Sequence, residues 1–287
     1  MFKYTVHVPL HVPRIALGAY VRRAFPLLPD WALRDAFQAR DVKMDGKRCA
    51  KDIRVIPGSE VTVYTACEMK MPVIYEDDWI LALDKPAGIS CDADDYGSMT
   101  VLDWAELHAA GGYHPAMCHR LDNQTSGLLV LAKNQVACDA LLWMFQQHMG
   151  EKTYCCLVKG KPQPASDRVT AWLTKDAKRS QVRVFPQEVP GAKQIDTEYE
   201  TIRTERDMSL LRVTLHTGRT HQIRAHLAYL GYPVAGDDIY GDRLWNRHSG
   251  ISGLMLRSMQ LKLDTQGKIP ALDGKVLSVP MKLDSLL

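Results

Sequence analysis

No run of 18 apolar residues occurs in this 287-residue chain, so a membrane-spanning helix is not expected. The opening MFKYTVHVPLHVPR lacks an apolar core of signal-peptide type, and secretion is not expected either. Seven cysteines are present, an odd number, and no C-x-x-C occurs among them. Zinc-ribbon and dithiol redox spacings are therefore absent, and reduced thiols in a cytoplasmic protein are the simplest account. There is no G-x-x-x-x-G-K-[ST], which leaves P-loop nucleotide hydrolysis unsupported, and Ser126 lacks the G-x-S-x-G elbow. Internal repeats and low-complexity tracts are also missing.

What is present is a soluble globular composition, 46% apolar and 24% charged, in a chain long enough for about two domains. The net charge of +3 hides an asymmetry. Residues 1–66 hold 11 basic and 6 acidic side chains, and the remainder holds 25 and 27. A small basic module attached to a near-neutral body fits that distribution. Within the module, Leu17, Tyr20, Val21, Ala24 and Phe25 lie on one helical face. Leu28-Pro29 breaks the helix, and Asp30 is placed to cap a second one that turns Leu33, Ala36 and Phe37 inward. Asp45-Gly46 signals a tight hairpin, Pro57-Gly58 a turn, and Val61–Tyr64 a strand. Residues 66–72 read as a short hinge.

The body begins with strands at 73–75 and 79–83. A small, acidic, mobile loop is expected at 90–98, and helices at 100–110 and about 134–149. Cys155-Cys156 belong to a buried strand. Residues 161–196, rich in Lys, Arg, Pro, Gln and Asp, predict loops and short strands. Thr197–Arg203 and Leu210–Leu215 alternate as strands. A helix is expected over Thr220–Leu230, with Thr220 capping it and Gly231 at its C′ position.

Two stretches concentrate chemistry. His119-Arg120-Leu121-Asp122-Asn123-Gln124-Thr125-Ser126-Gly127 sets a carboxylate beside an arginine in a polar turn that leads straight into the apolar run Leu128–Ala132. A rigid strand could hold such a carboxylate, and neighbouring cations could keep it ionised. Spacing alone favours a turn aspartate beside a surface arginine. His216–His226 packs three histidines and two arginines into eleven residues, a cation-rich patch suited to phosphate or carboxylate. His221 and His226 are five apart and no Glu follows the first, so a zinc helix does not fit. Asp237-Asp238 could supply the second carboxylate of a glycosidase, but no spacing pairs them with Asp122. Gln124 stands where an aspartyl-phosphate loop needs a second aspartate.

Taken together, HRLDNQTSGLLVLAKN (119–134), EKTYCCLVKG (151–160), HTGRTHQIRAHLAYLGYPVAGDDIYG (216–241) and YEDDWILALDKPAGIS (75–90) resemble the RluA-type family of RNA pseudouridine synthases. The motifs stand in the family's order and span roughly 73–260. The N-terminal segment is similar to the αL RNA-binding motif of small-subunit ribosomal protein four. Its hairpin is matched by Val42-Lys43-Met44-Asp45-Gly46-Lys47 and its ending by Gly58-Ser59-Glu60-Val61. Asp41 and Asp45 stand where that motif has Gly and commonly Asn, and each adds negative charge.

The resemblance implies an α+β chain. A small αL-type RNA-binding module over 1–68 precedes a catalytic domain over 69–287 built on a mixed, mainly antiparallel sheet. It implies an isomerase that converts uridine in structured RNA, with ribosomal RNA favoured over transfer RNA. No cofactor, metal or membrane partner is implied, and a cytoplasmic monomer is expected. Asp122 corresponds to the catalytic aspartate, Arg224 to the arginine that pairs with it, and Tyr154 to the tyrosine stacked near the target uracil. Arg120 would help hold the flipped nucleotide. Arg219 and His221 in the body, with Arg22, Arg34, Arg40, Lys43 and Lys47 in the module, are the remaining candidate RNA contacts.

Asp122 would act either as a nucleophile at the anomeric carbon or as a base on its neighbour. Either role needs it ionised, and a nearby cation would favour that form. The family's Leu-His-Ala stretch is replaced here by Leu256-Arg257-Ser258, and its following His-Pro is absent, leaving substrate contacts on that side open. The reading from a different class is a non-catalytic RNA-binding or ribosome-assembly protein that keeps the fold.

Overall fold

The computed structural model describes residues 1–176 and 181–280. They form two compact units, Met1–Pro72 with Gly88–Met117, and Val73–Ala87 with residues from Cys118 onward. All seven cysteines are unbridged thiols. Among the described residues no helix is long and apolar enough to cross a membrane.

In the first unit, helices Leu17–Ala24 and Asp30–Gln38 accompany a four-stranded sheet in the order Phe2–His7, Glu60–Thr65, Val42–Met44, Lys47–Arg48. The apolar face of the first helix is buried as its spacing predicts. Asp45 and Gly46 both have positive φ, 49° and 75°, the conformation a two-residue hairpin with the sheet's own twist requires. Three features differ from the sequence reading. Phe2–His7 is a strand, paired antiparallel with Glu60–Thr65. Asp30 is the first helical residue and Pro29 takes the capping position, while Asp30 accepts a 2.8 Å bond from Arg22 Nε. Residues 66–72 are anchored: Met69 N–H donates to the Tyr4 hydroxyl, and its carbonyl accepts from Trp104 Nε1.

Segment 88–117, which the sequence reading places with the body, groups with residues 1–72. Specific contacts hold it there. The Arg23 guanidinium lies 3.1 Å from the centre of the Tyr96 ring, Tyr20 donates to the Tyr96 carbonyl, and Met99 N–H bonds to the Ala24 carbonyl. Asp94 closes the loop by accepting from Tyr96 N–H and Ser98 N–H. Helix Val101–Ala109 follows with a full capping box between Thr100 and Asp103.

The second unit is organised by one large mixed sheet. Along its main path the strands run Gln181–Phe185, Ser166–Asp176, Lys193–Glu205, Met208–Leu215, Glu151–Lys159, Leu256–Lys262, Ser126–Ala132, Ile80–Lys85, Val73–Glu76. Every pair along that path is antiparallel except Ser126–Ala132 with Leu256–Lys262. Gly127–Ala132 is buried on both faces, which accounts for its unbroken apolar run.

Over 161–196, where loops and short strands are expected, Gln181–Phe185 is a short strand, but Ser166–Asp176 and the start of Lys193–Glu205 are long ones. Only alternate residues there are fully buried. Ala171, Leu173, Val182 and Ile195 pack with Ala225 into one buried cluster, while the charged neighbours face solvent. A half-buried antiparallel ribbon hides its period among charges in this way.

Gly127 permits the parallel junction. Its φ is +105°, and a Cβ there would lie 2.1 Å from the Ser258 carbonyl oxygen, so only glycine lets the two strands meet.

Candidate active site

The turn before strand Ser126–Ala132 carries Asp122. Its carbonyl accepts from Thr125 N–H at 3.0 Å. Lys85, fully buried, donates to the carbonyl of the next residue, Asn123, at 3.0 Å. A buried ammonium therefore clamps the backbone of this turn from the adjacent strand. His119 fastens the other side. Its Nε2 accepts from Val130 N–H at 3.0 Å, and its ring packs on Phe145 with centroids 4.6 Å apart. Burial, then the nearby Lys152 charge, pulls the His119 pKa down to about 3, so the ring is a neutral acceptor.

Arg224 lies one turn into helix Gln222–Tyr229 and is only 4% exposed. Its Nη1 reaches Asp122 Oδ2 at 3.3 Å. Its Nε and Nη2 form a two-pronged pair with Asp237, at 2.7 and 3.0 Å. Asp237 is 0% exposed and also accepts from Ile239 N–H and Tyr240 N–H. Against the penalty of burial, the Arg224 hydrogen bond, those amides and the arginine's charge lower the Asp237 pKa. One guanidinium thus hydrogen-bonds two carboxylates, a buried one that fixes it and Asp122, 25% exposed, to which it offers its remaining edge, while the exposed Asp238 lies 3.8 Å from its Nη2.

The loop before this helix departs from the sequence reading. Thr220 does not cap it. His221 does, in the left-handed conformation at φ 53° with no capping bond from its side chain. The adjacent Gln222 shapes the loop: Oε1 accepts from Thr217 Oγ1 and Arg219 N–H, and Nε2 donates to the Asp196 carbonyl and Thr197 Oγ1. Gly231 does follow the helix with positive φ. His221, 14% exposed, sits with Nε2 3.8 Å from Asp122 Oδ2 and Nδ1 3.0 Å from the Tyr240 hydroxyl. Burial, opposed by Asp122, lowers its pKa. Its place is beside the carboxylate.

Tyr154 is buried in strand Glu151–Lys159. Burial first and the Asp122 charge second push its pKa well above the ordinary value, opposed by a hydrogen bond with Ser258. The phenol is therefore held protonated near Asp122. Arg257, standing where the family's histidine is usual, pairs with Asp84 at 2.7 Å and donates to Ser126 Oγ at 3.4 Å. Its charge is matched within the strands that carry the site.

Asp122, Arg224, His221 and Tyr154 come together, and Arg219 sits on the same loop. Arg120 is exposed. Arg22, Arg34, Arg40, Lys43 and Lys47 belong to the first unit. Arg34, Arg40 and Lys47 are exposed, Arg22 is paired with Asp30, and Lys43 lies over the Tyr64 ring at 4.7 Å. Sequence reasoning missed Asp237, Lys85, His119 and Tyr240. For Asp237 a signal existed, an aspartate following a glycine thirteen residues after Arg224, but only folding shows which charge it faces. Among the described residues no three His, Cys, Asp or Glu side chains cluster as a metal site.

Comparisons with known proteins agree with this geometry. Residues 79–229 match the family model described as RNA pseudouridylate synthase. The chain is 28% identical over 285 residues to a ribosomal large subunit pseudouridine synthase C of Rickettsia bellii, covering 91% of this chain and 94% of that protein. It is 32% identical over 247 residues to an uncharacterized RNA pseudouridine synthase of Aquifex aeolicus, covering 78% and 76%. Human RNA pseudouridylate synthase domain containing 4 shares the fold, with a TM-score of 0.60 at 21% identity over 72% of this chain and 87% of that one. The chain belongs to the RluA-type family of RNA pseudouridine synthases, isomerases that convert uridine in RNA to pseudouridine.

Proposed function

We propose that Asp122 is the catalytic carboxylate and that the substrate is large-subunit ribosomal RNA. The observation that carries the first part is the division of the Asp122 oxygens. Oδ2 faces Arg224 and His221, while Oδ1 has no partner among the described residues, leaving one oxygen for the ribose. Isomerisation breaks the bond from C1′ to ring N1 and forms one from C1′ to C5; the C5 proton leaves to solvent and N1 takes one up, so no redox change is involved. Attack on C1′ and proton abstraction from C2′ both need an ionised carboxylate whose position is fixed before the sugar arrives. Arg224 supplies that charge and position, itself locked by Asp237. Tyr154, kept protonated, offers the uracil a stacking face and a hydroxyl. The target base must leave its stack to reach these groups, and Arg120 holds the flipped nucleotide.

The ribosomal assignment rests on relatives named ribosomal large subunit pseudouridine synthase C. We assign residues 1–68 as an αL-type RNA-binding module in which Arg34, Arg40, Lys43 and Lys47 meet phosphates, giving affinity that falls with salt.

The test is tritium release from RNA carrying 5-tritiated uridine. Asp122→Asn abolishes release while RNA binding survives; full release by that variant overturns the assignment. Carbodiimide mapping of pseudouridine in a deletion strain identifies the RNA, and loss confined to transfer RNA refutes the ribosomal assignment. For the module, Arg34→Glu with Lys47→Glu is cleaner than deletion, because segment 88–117 packs against residues 1–72. Weaker binding with a shallower salt slope is expected, and unchanged affinity for long RNA removes the module's role.

A further inference from the structure

One group of cations in the second unit has no use in the chemistry above. Lys152 is the second residue of strand Glu151–Lys159, two residues before Tyr154. Residues at that spacing share a strand face and lie about 7 Å apart along it, within the span of one nucleotide. The Lys152 ammonium does not extend into open solvent. It lies 4.8 Å from the centre of the Phe145 ring and close over Gly218, where a Cβ would sit 3.1 Å from Nζ. Arg219 is the next residue on that loop. Its Nε is buried without a hydrogen-bond partner, although its own backbone is held by Gln222. His148, past the end of helix Gln135–Gln146 with φ 56°, completes the group. Its pKa is lowered by burial and then by the charges of Arg219 and Lys152.

Among the described residues, neither Lys152 nor Arg219 forms an ion pair with a carboxylate. Burial alone accounts for the lowered pKa of Lys152. Glu151 is exposed and points to the opposite face by strand alternation. Two cations and a histidine are therefore gathered beside Tyr154 with no carboxylate among them. Such a group repels itself until an anion arrives. A solvated basic face would instead spread its charges into water, with every donor hydrated.

We infer that Lys152 and Arg219, flanked by His148, form a built subsite for one backbone phosphate of the RNA next to the flipped uridine. The inference rests on the RNA substrate of the reaction above. The subsite sets the register of the strand, so that the nucleotide between this phosphate and Tyr154 is the one presented to Asp122. Lys152 supplies a point charge, and Arg219 supplies the outer edge of a guanidinium whose buried Nε has no partner of its own.

The test uses the full-length protein and a short stem-loop cut from the RNA in which the wild-type enzyme releases tritium. Each linkage flanking the target uridine is replaced in turn by a neutral methylphosphonate, and affinity is measured by fluorescence anisotropy from 50 to 200 mM salt. One linkage is expected to weaken wild-type binding about tenfold, the loss of one charge-assisted contact. Lys152→Gln and Arg219→Gln are expected to weaken binding to the unmodified RNA similarly. Each lowers the salt slope by about 0.7–0.9, and Lys152→Arg restores it. On the Lys152→Gln background the methylphosphonate at that one linkage costs less than in the wild type, because only the Arg219 contact remains to be lost.

If no single linkage stands out in the wild-type series, the subsite is refuted without reliance on any variant. Equal methylphosphonate penalties in wild type and Lys152→Gln refute it as well. Tritium release by the wild-type enzyme, measured alongside, is the separate check on the reaction itself.

Discussion

Replacing Asp237 by asparagine separates the two carboxylates that share Arg224. The substitution keeps shape and volume but removes the charge that pairs a guanidinium only 4% exposed with an aspartate 0% exposed. Breaking a buried ion pair from one side costs about 3–5 kcal/mol, and the low end applies because Arg224 keeps Asp122 at 3.3 Å and the exposed Asp238 at 3.8 Å. The asparagine NH2 also opposes either Arg224 or the Ile239 and Tyr240 amides that Asp237 accepts. Asp122→Asn removes a single 3.3 Å contact on a carboxylate that is 25% exposed, worth about 0–1 kcal/mol. The two variants should therefore differ in stability by at least about 2 kcal/mol, a factor of roughly 30 in the unfolding equilibrium. Urea unfolding followed by tryptophan fluorescence, with all three proteins at the same pH and salt, measures the difference. Activity should rank the other way: Asp122→Asn releases no tritium, while folded Asp237→Asn retains a reduced rate. If Asp237→Asn is within 1 kcal/mol of Asp122→Asn, the buried carboxylate does not anchor the arginine, and this account of how Asp122 is positioned fails.

Gly127→Ala should prevent a stable second unit from forming, because its Cβ would meet the Ser258 carbonyl at 2.1 Å at a φ of +105°; a soluble variant with a wild-type melting temperature contradicts the parallel junction. Acid should destabilise the fold before the carboxylates titrate. Burial lowers the His119 pKa to about 3 and the His226 pKa to about 4, from 6.5. The unfolded chain then binds more protons between those values and 6.5, so the contribution is complete above pH 6.5 and lost as pH falls. At pH 5 the loss is about 2 kcal/mol per histidine. Urea midpoints at pH 7 and pH 5 check it, and equal midpoints refute the neutral, buried assignment.

Local signals were legible wherever a short segment carries its own reason to fold. The helix at Leu17–Ala24, the Asp45-Gly46 hairpin and the helix closed by Gly231 follow from spacing and backbone conformation within a few residues. Phe2–His7 was not legible, because its partner is Glu60–Thr65. Ser166–Asp176 and the start of Lys193–Glu205, before Thr197, were not legible as long strands because one face of each is charged, and the apolar face becomes evident only against Ala225. Thr220 resembled a cap by residue type, yet Gln222 bonds the loop and His221 takes the capping position in a left-handed conformation.

The same boundary runs through the site. The sequence by itself determined the family and singled out Asp122, Tyr154 and Arg224, because long motifs in fixed order carry that information without coordinates. Tertiary structure alone decided that Asp237, dismissed as an unpaired carboxylate, is the buried anchor of Arg224, and that Lys85 and His119 hold the backbone around Asp122. It also decided that His221 stands beside the carboxylate and that Lys152 and Arg219 meet without a counter-charge. The physical reason is that a charge acquires its role from what it faces and how much water it keeps. For these side chains the partners lie on strands and loops remote in sequence, joined only by the register of the sheet.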